Sequence, residues 1–270
     1  MSMDRIARDG LVLLGCGKMG SAMLEGWLAQ GVPPSSVWVI DPKPSEWVQA
    51  TGVPVHVRLP ETPAIVLLAV KPQMMGDALP QIAAMEGAVF LSVAAGTSIA
   101  SFEEVFAAGA KVIRSMPNTP AAVGKGITAM IGNAWAQEAD LDMAEMLLSA
   151  VGQVVRLETE DQMDAVTGVS GSGPAYVFLM IECLAAAGEA EGLAPDLAMQ
   201  LAKATVAGAG ALAEAASETP AQLRVNVTSP NGTTQAGLNI LMDKDAGLPE
   251  VSKATVSAAA ERSRELKRDG

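Results

Sequence analysis

A single histidine, His56, and two cysteines, Cys16 and Cys183, are all that this chain of 270 residues holds of those types. One imidazole cannot build a metal centre of several histidines, nor any site that rests on more than one such ring, although it can still act alone as an acid or a base. His56 sits in the alternating segment Val53 to Val57, where a satisfied structural histidine on a strand is the plainer reading. The cysteines lie far apart, one in a glycine-rich turn and one in an apolar helical stretch. Neither metal-ligand spacing nor a disulfide framework results, so both are expected to be reduced. Cations are also scarce, with 18 Lys and Arg against 30 Asp and Glu and a net charge of -12. A nucleic-acid partner bound through its phosphates is therefore not expected. The longest uninterrupted apolar stretch, Ala175 to Ile181, falls short of the roughly 18 residues that suggest a membrane span. The first ten residues place charges and a glycine where a secretory signal has its apolar core, so the expectation is a cytoplasmic protein with no membrane attachment.

Half of the chain is apolar, enough for a sizeable core. Its first part alternates short β-branched runs with helix-like stretches, the pattern of a parallel sheet covered by helices. The expected strands are 11–14, 37–40, 53–57, 65–70, 89–93, 112–114, 128–131 and 153–157. After Asp161 the alternation fades and Ala-rich and Leu-rich helical sequence takes over, broken at Gly192, Pro195, Pro220, Pro230 and Gly247. The domain boundary is expected near residue 160. Within the helical part, Pro174 to Ala187 carries one charge, Glu182, so this helix must be buried on every face. Burial against a second copy of the chain, in a homodimer or higher homo-oligomer, is the simplest arrangement. The alternative is the central helix of a monomer.

Gly15-Cys16-Gly17-Lys18-Met19-Gly20 follows an expected strand and opens an expected helix, 21–30. In that context the three glycines serve a tight turn, close approach of backbone to a pyrophosphate, and packing of helix on strand. Asp41 stands twenty-one residues beyond Gly20 at the end of the second strand, where an acidic group can bind the ribose 2′-hydroxyl of NAD. Lys43 can instead pair with the 2′-phosphate of NADP. The choice between NADPH and NADH stays open. The fold class expected is α/β, a Rossmann-like dinucleotide-binding domain over 1–160 followed by an all-helical C-terminal domain for dimerisation and substrate binding over 161–270.

Four further segments carry a resemblance. Ala69-Val70-Lys71-Pro72-Gln73, Arg114 to Pro120 (RSMPNTP), Asp164 to Tyr176 (DAVTGVSGSGPAY) and Val227 to Leu238 (VTSPNGTTQAGL) are similar, in order, to the motifs of the pyrroline-5-carboxylate reductase family. The resemblance runs from about residue 11 to residue 265. It implies hydride transfer from NADPH, or NADH, to the C=N bond of 1-pyrroline-5-carboxylate, giving L-proline. It also implies a cofactor set of Gly15, Gly17, Lys18, Met19, Gly20, Asp41, Lys43, Ala69, Val70, Lys71 and Asn118, and no metal. A turn rich in hydroxyl side chains before an expected helix at 235–242 can aim several amides at a carboxylate. By resemblance the substrate carboxylate is held by Ser229, Gly232, Thr233 and Thr234, with the Thr234 hydroxyl near the ring nitrogen as the catalytic group. The family usually has glycine at the position of Asn231, a residue that tolerates positive φ.

Two rivals remain at this point. Hydroxyacid dehydrogenases of related architecture place a catalytic lysine four residues after the last glycine of the 168–173 segment, where this chain has Val177. A catalytically silent dinucleotide-binding regulator would keep the fold without turnover.

Overall fold

A computed structural model describes residues 2–269. Its elements are α1 (Ser2–Asp9), β1 (Leu11–Leu14), α2 (Lys18–Ala29), β2 (Val37–Ile40), α3 (Glu46–Ala50), β3 (Ile65–Leu68), α4 (Met75–Ala78), β4 (Val89–Ser92), α5 (Ile99–Glu103), β5 (Lys111–Met116), β6 (Gly126–Gly132), α6 (Glu138–Leu148), β7 (Gly152–Arg156) and α7 (Gln162–Val166). They are followed by α8 (Gly173–Ala190), α9 (Pro195–Ala215), α10 (Pro220–Asn226), α11 (Thr233–Leu241) and α12 (Leu248–Asp269).

The seven strands form one sheet in the order β2-β1-β3-β4-β5-β6-β7. β1 to β5 run parallel, with Leu11 beside both Val37 and Ile65. β6 pairs antiparallel to β5, with Ser115 opposite Met130, and β7 runs parallel to β6. Nine residues separate β5 from β6, fewer than the dozen or so that a parallel crossover needs. A 3-10 turn, Thr119–Val123, and the left-handed Gly124 at φ 68° reverse the chain instead.

β1 to β5 are largely buried on both faces, and alternate residues serve two cores. Leu11 and Leu13 pack with Met23, Trp27, Met143 and Leu147 under α2 and α6. Val12 and Leu14 pack with Val66, Leu68, Phe90, Phe102 and Val112 on the other face. Trp27 is fully buried and donates its indole N–H to the Leu147 carbonyl at 2.8 Å, so α2 is tied to the end of α6.

One expected strand is not formed. Residues 53–57 make only an isolated bridge, Val39 to Val55, because Pro54 has no N–H for a ladder and His56 turns to φ 51°. β3 is therefore the third strand rather than the fourth. The helix expected at 21–30 begins earlier, at Lys18, and the one expected at 235–242 begins at Thr233.

The chain divides into two compact units, Met1–Gly171 with Ala259–Gly270, and Ser172–Ala258. The division falls beyond the boundary near residue 160 read from composition, because 161–171 keep their contacts in the first unit. Met163 is fully buried there, and Asp164 accepts a 2.7 Å hydrogen bond from the Ser263 hydroxyl.

In the second unit α8 packs on α9 through Ala185, Ala198 and Ala202, with Ile181 and Met199 beside them. Its other faces are bare: Val177, Phe178, Leu179 and Met180 are 41%, 57%, 58% and 42% exposed. Four consecutive positions 100° apart cover the whole circumference of a helix, so this chain alone leaves several apolar faces uncovered. The helical run Gln162–Ala190 is also long and apolar enough, by length and composition, to cross a membrane. Counting only the uninterrupted stretch Ala175 to Ile181 missed that, because small and polar residues are spread thinly through the run.

Candidate active site

At the carboxyl ends of β1, β2 and β3 the glycine turn, Asp41, Ala69 and Val70 are brought together. Gly15 has φ 91°, and a Cβ there would come within 2.8 Å of Val70 Cγ1 and 2.9 Å of the Ala69 carbonyl carbon. Its amide donates to the Ile40 carbonyl, and Ala69 donates to the Leu14 carbonyl, both at 2.8 Å. Gly20 is packed against the Gly15 carbonyl oxygen so closely that no side chain fits. Gly17 differs, since a Cβ built on it meets nothing within 4 Å. The turn is thus tight where it touches the sheet and open where a pyrophosphate would lie.

Gly17 starts α2 with no side-chain cap, and the first intrahelical bond runs from the Ser21 amide to the Gly17 carbonyl at 2.8 Å. The amides of Lys18, Met19 and Gly20 precede that bond and have no helical carbonyl to meet. Three N–H groups and the positive end of the helix dipole therefore suit an anion. The residues present fit a dinucleotide on these grounds. Lys18 is exposed and Met19 is half-buried against the core.

Asp41 is tied from three sides. One carboxylate oxygen accepts the Cys16 amide at 2.7 Å and the other accepts the Lys43 amide at 2.8 Å. Its own carbonyl accepts from His56 Nε2. His56 is thus a structural group beside Asp41, held there by a left-handed backbone and not by a strand. Burial pushes the Cys16 thiol above its ordinary range; a hydrogen bond with Ser21 opposes the shift, and the charge of Asp41 adds to it. Lys43 and Lys71 are both exposed. Lys71 occupies the position before the 3-10 turn Pro72–Met74.

Asn118 is buried, and its amide is engaged with the backbone. Nδ2 donates to the Ser170 carbonyl at 3.1 Å and Oδ1 accepts the Ile127 amide at 2.9 Å. One of its two N–H bonds remains for a ligand. Its larger observed work is to join the turn after β5 to the π turn Thr167–Gly171.

Sequence reasoning missed a buried ion pair behind this turn. Arg114, 3% exposed, donates to Glu160 at 2.6 Å, and the same oxygen accepts the Ile99 amide at 3.0 Å, capping α5. The signal available was an arginine inside an otherwise apolar strand, which needs a carboxylate partner wherever the strand is buried.

In the second unit Ser229, Gly232, Thr233 and Thr234 are gathered at the start of α11. Asn231 has φ 57°, the left-handed value that its side chain tolerates, and this lets the Gly232 amide close on the Ser229 carbonyl at 3.0 Å. Gly232 precedes the helix with no side-chain cap. The Thr233, Thr234 and Gln235 amides come before the first helical bond, from Ala236 to Gly232 at 3.1 Å. Thr233 and Thr234 are exposed, and the amides of this helix start have no helical carbonyl to meet.

Comparison with known proteins matches two family descriptions to this chain: pyrroline-5-carboxylate reductase dimerisation over residues 160–266, and NADP oxidoreductase, coenzyme F420-dependent, over residues 11–96. The chain is 36% identical over 274 residues to a pyrroline-5-carboxylate reductase of Pseudomonas aeruginosa, covering 98% of each. It is 39% identical over 264 residues to one of Synechocystis, covering 95% of this chain and 97% of the other. Among solved structures, a pyrroline-5-carboxylate reductase of Coxiella burnetii superposes with a TM-score of 0.88 at 29% identity, over 96% of this chain and 98% of that one. A Plasmodium falciparum pyrroline carboxylate reductase with NADP bound gives 0.82 at 28% identity, with the same coverage of each chain.

Proposed function

Since this chain belongs to the pyrroline-5-carboxylate reductase family, we propose that it reduces the C=N bond of 1-pyrroline-5-carboxylate with NAD(P)H to give L-proline, the last step of proline biosynthesis. The observation that carries this reading is the match to such reductases along nearly the whole of both chains, which includes the glycine turn as well as the start of α11.

The bound dihydronicotinamide supplies a hydride. The imine nitrogen of the substrate, protonated as an iminium, already makes the adjacent carbon electrophilic, so the hydride is accepted at carbon and the ring nitrogen keeps its proton as the amine. The protein's work is positioning. In this reading the open side of Gly17 and the amides of Lys18, Met19 and Gly20 hold the pyrophosphate. Asp41 and Lys43 meet the adenosine ribose, and Ala69, Val70, Lys71 and Asn118 line the nicotinamide side. Ser229 and the amides of Gly232 and Thr233 fix the substrate carboxylate. Thr234 directs its hydroxyl at the ring nitrogen, where it holds the ring in orientation as the carbon changes geometry. The bare apolar faces of α8 support a homodimer formed through the C-terminal helices.

The test follows cofactor absorbance as purified protein meets 1-pyrroline-5-carboxylate and NADPH or NADH. Oxidation that depends on the imine is expected. In Thr234→Ala, kcat should fall by roughly 10- to 100-fold while cofactor affinity stays within about twofold. Oxidation absent with both cofactors, or unaltered kcat in the variant, would count against the reaction or the role of Thr234 respectively.

A further inference from the structure

The carboxylate of Asp41 is held on both oxygens by main-chain amides, Cys16 at 2.7 Å and Lys43 at 2.8 Å. Each oxygen keeps one lone pair for another donor. The group stands half-buried at the end of β2, where the adenosine ribose of a dinucleotide lies in this fold. Two neighbouring ribose hydroxyls can donate to two oxygens that are already in place. A 2′-phosphate would instead bring roughly two negative charges against a third.

Swinging the carboxylate aside to relieve that repulsion would break its bonds to the Cys16 and Lys43 amides. Its bond to Cys16 belongs to the glycine turn itself, and His56 pins the Asp41 carbonyl from the other direction. Lys43 offers one positive charge, but its backbone is fixed between Pro42 and Pro44, and one cation does not offset a carboxylate and a phosphate together. Resting on the reductase reading above, we propose that Asp41 makes the nucleotide site selective for NADH over NADPH.

Calorimetric titration of the unligated protein with NADH and with NADPH tests this without turnover. NADH is expected to bind at least about tenfold more tightly, roughly 1.4 kcal/mol, and the ratio should shrink as ionic strength rises, because one of its sources is charge repulsion at a partly exposed site. Asp41→Asn, confirmed as folded by circular dichroism, should lose about tenfold of the preference. Lys43→Ala should widen it and provides a second test if the Asp41 variant does not fold. NADPH binding as tight as NADH in the unaltered protein would overturn the proposal, as would a folded Asp41→Asn that keeps the full preference. A protein binding neither cofactor sinks both readings. Selective binding of NADH without oxidation by the imine leaves this proposal standing and removes the reductase reading alone.

Discussion

Two glycines of the same turn, Gly17 and Gly20, should fail in different ways. An Ala Cβ at Gly20 has the Gly15 carbonyl oxygen in its place, so Gly20→Ala should destabilise the fold by about 2–3 kcal/mol, as overpacking against backbone does. At Gly17 the same methyl meets open space. Gly17→Ala should cost less than about 1 kcal/mol, the difference between two helix-capping residues, yet weaken dinucleotide binding at least about tenfold. Thermal unfolding and cofactor titration of the two variants separate these outcomes. Asn231 sits at φ 57°, so Asn231→Gly should be close to neutral, while Asn231→Ala should cost about 1–2 kcal/mol in left-handed strain. These positions were legible from sequence because glycine spacing and turn chemistry are local. The partners of Asn118 and Arg114 were not, because Ser170 and Glu160 lie 52 and 46 residues away, and nothing within a turn's length of either residue encodes the contact.

Elements were read well where composition alone decides them. β1, β2, β3 and β4 are short β-branched or leucine runs buried on both faces, and the helices after Asp161 are bounded by Gly and Pro at the places where the chain turns. The segment 53–57 misled because its apolar alternation is real, but Pro54 and the left-handed His56 keep it to one bridge. α1 escaped notice because it buries a single residue, Ile6, among charges. Contacts between elements also set two expectations. Glu160→Ala would strand Arg114, 3% exposed, and uncap α5; the loss should be about 3–5 kcal/mol in urea unfolding, as for other broken buried pairs. Asp140, buried at the start of α6, receives Lys111 at 2.9 Å and Arg5 at 3.1 Å. Burial alone would raise its carboxyl, but hydrogen bonds from Lys111, the Gln137 amide and Arg5 outweigh that and hold it below the usual range. A lowered folded value means that this contribution is complete above the unfolded pKa, near 3.9, and vanishes as the pH falls through the folded value. Unfolding free energy measured against pH should therefore fall less steeply below about pH 4 in Asp140→Asn than in the unaltered protein.

For the whole molecule, the apolar positions of α8 that α9 leaves uncovered bear on assembly. Phe178 and Leu179, 57% and 58% exposed in the single chain, are expected to lie in the contact between copies. Changing both to Glu should lower the sedimenting mass to that of one chain, since buried unpaired charge is costly; an unchanged mass would place the contact elsewhere. The first unit has a further property, which follows from its make-up of two separated stretches, Met1–Gly171 and Ala259–Gly270. Ser263 bonds to Asp164, and the Leu266 Cβ lies 3.8 Å from where a Cβ on Gly96 would stand. A nascent chain makes the greater stretch first and must then extend through the 87 residues of 172–258 before the lesser one emerges, a delay of roughly 4–17 s at ordinary rates of synthesis. Throughout that interval the buried carboxylate of Asp164 has no Ser263 hydroxyl to accept from, so the nucleotide-binding half is completed only after the helices that follow it have been made.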